Sequence, residues 1–523
     1  MRNIDLREER KVHGEGVLEQ LRRTPLPEGF LFGVSSSGYQ VEGGFNEPGC
    51  PLNNWWEWEC ANRVERSGRA CSFWERPYEH IELASSLGLN AFRLGLEWSR
   101  LQPSTTPGTQ PPPPWDGETL RGYARIIRMV QERGMLPVVT LLHFTHPAWL
   151  GRDFWLRADA AEVFARYCEE VAGGLNEALI GEGGEPVRLW ITLNEPNALA
   201  AMTYLLGMFP SGKRGLRHMF RALDGMFAAH ALAYDRLHDL HEERGWGRPL
   251  VSYNTFCLNV YELDRLFADL LRARGRGVKE SELHSYGKRC RKLWTKGLRV
   301  PAGAETRNGM AGKLLEGGLK ALAAWKMGMD DFPATCAAVY SSRREEKMDY
   351  LGLDVYDPLL RDYPRWPSLQ ELRTGLANLN MELWQQVHDP GVFGATVKAW
   401  ALGHEDLPIY ILENGMCTRR YRGNDWERED GLNRTLFLRR QLAEVARLLR
   451  DGLPLRGYFY WSLTDNYEWG SYQPRFGLFA YDYEAGAILP RDCLGDDAGA
   501  AYGRLIEALR GSVHEEGRGS RGS

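Results

Sequence analysis

Two stretches place a single acid where chemistry could be done. Pro408 to Gly415 reads PIYILENG: an apolar, β-branched run meets one carboxylate, Glu413, and Asn414 and Gly415 then break the strand. Leu189 to Pro196, LWITLNEP, repeats the design and ends in Asn194 and Glu195. Each describes a buried strand that delivers its acid at the C-terminal end, and ligands of parallel α/β sheets bind beyond that end. Two such carboxyls can divide a reaction. One gives a proton to a leaving oxygen, while the other attacks the electrophilic carbon or activates water. Only a closed fold would bring them together from such distant parts of the chain. Their separation in sequence does not distinguish the close, covalent geometry from the wider one that leaves room for water.

The elements that would position this pair can be read in chain order. Residues 1–24 are polar and read as a loose arm. Phe30 to Ser37 is a short buried strand with Gln40 near its end, followed by a long loop rich in Gly, Asn and Trp. Tyr78 to Leu87 has helical spacing and closes at Gly88. Ala91 to Trp98 is a strand carrying Arg93, Leu136 to Phe144 one ending in His143, and Pro249 to Phe256 a weaker one ending near Asn254. Met348 to Tyr356 and Leu455 to Thr464 complete the set. Helical stretches separate most strands: Glu118 to Arg133, Ala158 to Leu175, His218 to Leu240, Asp389 to Leu402, Gly431 to Leu449 and Asp496 to Leu509. The segment 260–347 is basic and helical. About eight strands alternating with helices predict an α/β fold, a single (β/α)8 barrel over residues 25–512 with a disordered tail at 513–523. On such a barrel Gln40, Arg93, His143, Asn194, Glu195, Tyr356, Glu413, Glu468 and Trp469 would all face one mouth. His230, inside a long helix, reads as a core histidine.

Composition narrows the class. With 43% hydrophobic and 26% charged residues the chain is globular, not disordered. A net charge of −4, with both signs mixed throughout, gives no reason to expect nucleic acid or an anionic membrane as partner. No apolar run reaches the about 20 residues that span a bilayer, so no membrane insertion is expected. The first residues have no apolar signal core. Nine scattered cysteines without a CxxC pair read as reduced thiols of a cytoplasmic protein, with no zinc site. No metal-spaced ligand cluster is visible, and a two-carboxylate mechanism requires neither metal nor cofactor. The 18 tryptophans offer flat faces that could stack on sugar rings, although most will fill the core. Nothing fixes the oligomeric state.

Glycoside hydrolysis uses such a pair of carboxyls across the scissile bond, and here the chain resembles glycoside hydrolase family 1, the β-glucosidase and β-galactosidase family. Its TFNEP motif is matched by Thr192-Leu193-Asn194-Glu195-Pro196, and its ITENG motif by Ile411-Leu412-Glu413-Asn414-Gly415. Tyr39-Gln40-Val41-Glu42-Gly43, Phe92-Arg93 with Glu97-Trp98-Ser99-Arg100, and Trp461 to Phe479 match three further segments in the family's order. The resemblance implies a retaining double displacement with Glu413 as nucleophile and Glu195 as acid, then base. It implies that Arg93 keeps Glu413 ionised and that Tyr356 hydrogen-bonds it. It assigns Gln40, His143, Asn194, Glu468 and Trp469 to the hydroxyls of the terminal sugar and Trp461 to the floor of that pocket. The small-molecule substrate expected is an O-linked β-glucoside or a related β-glycoside.

Departures from the family mark what is particular here. Asp354-Val355-Tyr356 replaces the usual Asn-Tyr-Tyr, which adds an acid near the nucleophile. The segment 261–346 carries no G-x-Y-P. Trp384 matches an aglycone-platform tryptophan, with a longer spacing to Pro390. The phosphosugar clamp Ser-x-Lys-x-Tyr is absent from Glu468 to Phe476, which has no lysine, so an unphosphorylated sugar is favoured. Transfer to an alcohol acceptor is a related enzymatic alternative. A sugar-binding protein without turnover is the alternative from another class, and the presence of both glutamates argues against it.

Overall fold

The structure is a computed structural model that describes residues 16–108, 112–299, 309–356, 388–421, 424–426, 428 and 430–516. Eight parallel strands close into a barrel: β1 Leu31–Ser35, β2 Ala91–Gly95, β3 Leu136–Leu142, β4 Leu189–Asn194, β5 Leu250–Phe256, β6 Leu351–Asp354, β7 Ile409–Asn414 and β8 Leu455–Trp461. Neighbours in sequence are neighbours in the ring, and β8 pairs with β1 to close it. A helix follows each strand: α1 Pro77–Ser86, α2 Gly117–Glu132, α3 Ala160–Gly181, α4 Leu216–Arg244, α5 Pro333–Tyr340, α6 Pro390–Ala401, α7 Arg434–Arg450 and α8 Ala498–Glu516. This is the predicted (β/α)8 barrel.

Local chemistry explains the elements. α2 starts where Asp116 accepts N–H bonds from Glu118 and Thr119, and Tyr123, Ile126, Ile127 and Val130 form its buried stripe. It ends before Gly134, whose φ of 70° a side chain would resist. α6 begins with Pro390 in its first turn behind the capping carboxylate of Asp389. The 260–347 segment resolves into helices Tyr261–Asp264, Leu266–Leu271, Leu283–Gly297 and Gly309–Lys326 ahead of α5. Arg265 anchors this insertion to the barrel through Ala399 O, while Asp269 accepts from buried His404 at 2.8 Å. His230 is structural, as expected: Thr192 and Lys347 O occupy its two ring nitrogens.

Two boundaries differ from the sequence reading. Residues 16–22 are helical and Leu21 is fully buried, so the arm is anchored by an apolar contact. α8 continues to Glu516, past the expected start of the tail.

Strand pleat decides which side chains enter the barrel. Tyr410 and Leu412 on β7 join Ala91, Val138, Ile191 and Phe459 in a cluster separate from the one that packs against the helices, to which Ile409 and Ile411 belong. Simple alternation would turn Glu413 outward with Ile411. A bulge prevents this. β6 and β7 pair Leu353 with Ile411 but Asp354 with Glu413. β4 has a matching irregularity, pairing Ile191 with Ser252 but Asn194 with Asn254. Both bulges re-aim the last residues of their strands.

Gly352 lies on the inner face of β6, where an added Cβ would sit 2.7 Å from Tyr253 O and 2.9 Å from a Leu412 methyl. Gly352→Ala is expected to destabilise the fold by about 1–3 kcal/mol through overpacking. Urea unfolding should show a lower midpoint; a midpoint equal to wild type would contradict this packing.

Candidate active site

The strand ends meet at the C-terminal mouth around one guanidinium. Arg93, fully buried on β2, donates from Nη1 to Glu413 Oε1 at 2.5 Å and from Nη2 to Asn194 Oδ1 at 2.5 Å. Its Nε donates to Thr140 Oγ1 at 3.0 Å, so the planar fork is held on three sides. Just past β6, the Tyr356 hydroxyl donates to Glu413 Oε2 at 3.0 Å. Glu413 thus has a donor on each oxygen. Glu195 follows β4 and precedes Pro196, with φ 42° and ψ 59°. This left-handed conformation costs a non-glycine residue about 1–2 kcal/mol, a kind of strain that clusters at functional sites. Among the described residues no donor rests on the Glu195 carboxyl.

A third acid completes the centre. Asp354 is fully buried beside both glutamates. Asn254, at the end of β5, donates to Asn194 Oδ1 at 2.7 Å and to Asp354 Oδ2. One oxygen from each of Glu195, Asp354 and Glu413 lies within 4.8 Å of the others. Such close oxygens fit the covalent geometry, in which the carboxyls stand about 5–5.5 Å apart. The three acids lie far apart in sequence, so no ligand spacing announces them. They are the described acids that converge closely enough to hold a cation. The Arg93 guanidinium supplies the positive charge here, and the trio reads as a proton-sharing cluster, not as a metal centre.

Burial raises all three carboxyls, and the neighbours then separate them. For Glu413, Arg93 and the Tyr356 hydrogen bond oppose the rise. For Glu195, the charges of Asp354 and Glu413 add to it, so it is held well above the usual carboxylate range. Glu413 is the group the site favours ionised, and Glu195 the one it favours protonated. His143 is held well below its ordinary value by burial and by the charge of Arg93, and is neutral.

The remaining predicted residues line one wall. Gln40 Nε2 donates to Glu468 Oε2 at 3.2 Å, and Trp461 Nε1 donates to Glu468 Oε1 at 3.1 Å. Loss of water pushes the Glu468 carboxyl up to about 8. His143 stacks between Trp461 and Trp469, at 5.8 and 5.7 Å between ring centres, and its buried Nδ1 has no hydrogen-bond partner among the described residues. Phe144 and Phe209 pack on Trp469. Phe144 and Trp469, like Glu195, adopt positive φ. The structure therefore gathers Gln40, Arg93, His143, Asn194, Glu195, Tyr356, Glu413, Trp461, Glu468 and Trp469. Trp384 lies outside the described residues. Sequence reading left Asn254 and Phe209 out of the site. The position of Asn254 at a strand end was a usable signal, whereas Phe209 sits in a loop whose path only the fold shows.

Comparison with known proteins now bears on this geometry. The family model described as Glycosyl hydrolase family 1 matches residues 22–269 and 342–492. The chain belongs to that family. β-Glucosidase A of Thermotoga maritima is 27% identical over 479 residues, covering 89% of this chain and 95% of its own. The bifunctional β-D-glucosidase/β-D-fucosidase of Bifidobacterium breve is 28% identical over 503 residues, covering 89% and 96%. The solved structure of the Thermotoga maritima β-glucosidase in complex with castanospermine superposes with a TM-score of 0.65, at 23% identity, over 93% of this chain and 99% of that one. The chain is thus a β-glycoside hydrolase of the retaining kind that is general in family 1. The family match skips residues 270–341, most of the insertion that lacks the family's usual segment.

If Arg93 holds Glu413 ionised, Arg93→Met should move the acid limb of the kcat/KM profile to higher pH by about 1–3 units. Arg93→Lys, which keeps the charge but not the fork, should move it less. An acid limb that stays in place in both variants would contradict this electrostatic role.

Proposed function

We propose that the protein is an exo-acting β-glycosidase for unphosphorylated O-linked β-glucosides and closely related β-glycosides. The observation that carries the reading is the asymmetry between two close carboxyls. Glu413 has Arg93 and Tyr356 on its oxygens, whereas Glu195 has no donor among the described residues and faces other acids. In this reading Glu413 attacks the anomeric carbon while Glu195 gives its proton to the departing oxygen. The sugar–oxygen bond breaks, a sugar–Glu413 ester forms and the alcohol leaves. Water then attacks the same carbon, Glu195 takes its proton, and the ester bond breaks to return Glu413 as a carboxylate. Gln40, Glu468 and the neutral ring of His143 would hold sugar hydroxyls, with Trp461 as the apolar floor and Asn194 beside the reacting centre.

Two finer points belong to the same proposal. The acid Glu468, with no lysine in the segment that follows it, supports a neutral sugar over a 6-phosphosugar. The nine cysteines are all free thiols, which supports a reducing, cytoplasmic setting.

A panel of nitrophenyl β-D-glycosides tests the reading. Wild type should release nitrophenol from the glucoside and leave the glucoside 6-phosphate intact. Glu413→Ala should show no turnover. Glu195→Ala should lose about 10²–10⁴ in rate on substrates whose alcohol needs protonation, and less on nitrophenyl sugars. A wild type inactive on every sugar would refute the proposal.

A further inference from the structure

Asp354 stands where the family pattern carries asparagine, so a carboxyl takes the place of an amide beside Glu195 and Glu413. One oxygen, Oδ2, accepts an N–H from Asn254. The other, Oδ1, is buried and has no N–H or O–H donor among the described residues. What faces this carboxyl is the carboxyl of Glu195: an oxygen of each lies within 4.8 Å of the other, in a site from which water is removed by burial. Two buried carboxylates this close repel, so the resting pair favours one proton between them. Asn254 already spends its amide on Asn194 and on Asp354, which fixes Asp354 toward the acid instead of leaving it free to turn.

We propose that Asp354 is a positioning residue for the acid/base step: it accepts a hydrogen bond from the protonated Glu195 carboxyl and so holds the proton on that residue. This rests on the roles proposed above for Glu195 and Glu413. The titratable groups around the pair are Glu413 from β7, Arg93 from β2, Tyr356 and Tyr350 on either side of β6, and Cys257 just past β5, the last three held neutral by burial. Arg93 is the cation among them, and its Nη1 and Nη2 are committed to Glu413 and Asn194. It therefore favours ionisation of Glu413 first and leaves the proton with Glu195 and Asp354.

Charge accounting through the cycle shows why this matters. Before reaction Glu413 and Asp354 are ionised and Glu195 is protonated. Glu195 then passes its proton to the leaving oxygen as Glu413 becomes an uncharged ester. Asp354 stays ionised throughout, so Glu195 becomes anionic beside a permanent negative neighbour. In an arrangement of two glutamates that neighbour disappears when the ester forms, and Glu195 weakens as a base. Here Asp354 keeps Glu195 basic while water attacks.

The test is the pH dependence of kcat/KM for Asp354→Asn on a nitrophenyl β-glycoside that wild type cleaves. Removing the charge should move the basic limb to lower pH by about one unit or more, with the acid limb shifting less. A basic limb that superposes on wild type would overturn the proposal. Carboxyl carbon NMR of ¹³C-labelled wild-type protein reads the pair without turnover. Glu195 and Asp354 should lose their two protons in separate macroscopic steps, about one unit or more apart. Two independent titrations near ordinary carboxylate values would overturn it too. Absence of activity on every glycoside would instead sink the catalytic reading and leave the titration to decide whether the pair shares a proton.

Discussion

The buried guanidinium of Arg93 is the constraint around which the mouth of the barrel is organised. A charge removed from water needs partners on every side, and here they come from β3, β4 and β7. Those partners fix Asn194 and Glu413 relative to each other although they lie on strands that do not touch in the ring. Meeting the demand requires that the strand ends turn inward. Strict alternation would not do it for Glu413, and the irregular pairing at Leu353/Asp354 does. Electrostatics and sheet geometry thus depend on one another: the bulge presents the carboxylate, and the ion pair stabilises the bulged conformation.

The same guanidinium sets the division of labour among the acids. One cation cannot neutralise three carboxyls, so it must prefer one. Its hydrogen bond, together with that of Tyr356, selects Glu413 and leaves Glu195 and Asp354 as the groups that hold a proton. An asymmetric environment of this kind lets two chemically similar groups act as base-like nucleophile and acid at one pH. The wall formed by Gln40, His143, Trp461 and Glu468 is a separate construction, built from the segments just past β1 and β3, the end of β8 and the segment after it.

Much of this was legible in the sequence because barrel strands are short apolar runs whose last residue is functional. PIYILENG and LWITLNEP announced Glu413 and Glu195, and the Arg-bearing strand AFRLG announced Arg93. Order along the chain sufficed to infer a closed barrel, since most runs were followed by a helical stretch. The bulges were not legible, because an extra residue in a strand leaves no periodic mark in four to seven residues. The convergence of Asp354 on both glutamates was hidden for a similar reason. Aspartate in place of asparagine was visible, but whether it faces Arg93 or Glu195 depends on register. Asn254 illustrates a third limit: a weak strand ending in an amide looks like many loops until its neighbours are known. The helices of the insertion were read only as basic and helical, since a long amphipathic segment has no strand ends against which to count.

Trapping the covalent intermediate tests the central claim most directly. A 2-deoxy-2-fluoro-β-glycoside with a good leaving group slows both displacement steps through their cationic transition states while the first remains fast enough to proceed. Intact mass followed by peptide mapping should show one fluorosugar attached to the peptide that contains Glu413, with loss of activity in step with labelling. An adduct on Glu195 or Asp354, or release of a product with inverted anomeric configuration from an ordinary substrate, would contradict the assignment of Glu413 as the nucleophile held by Arg93.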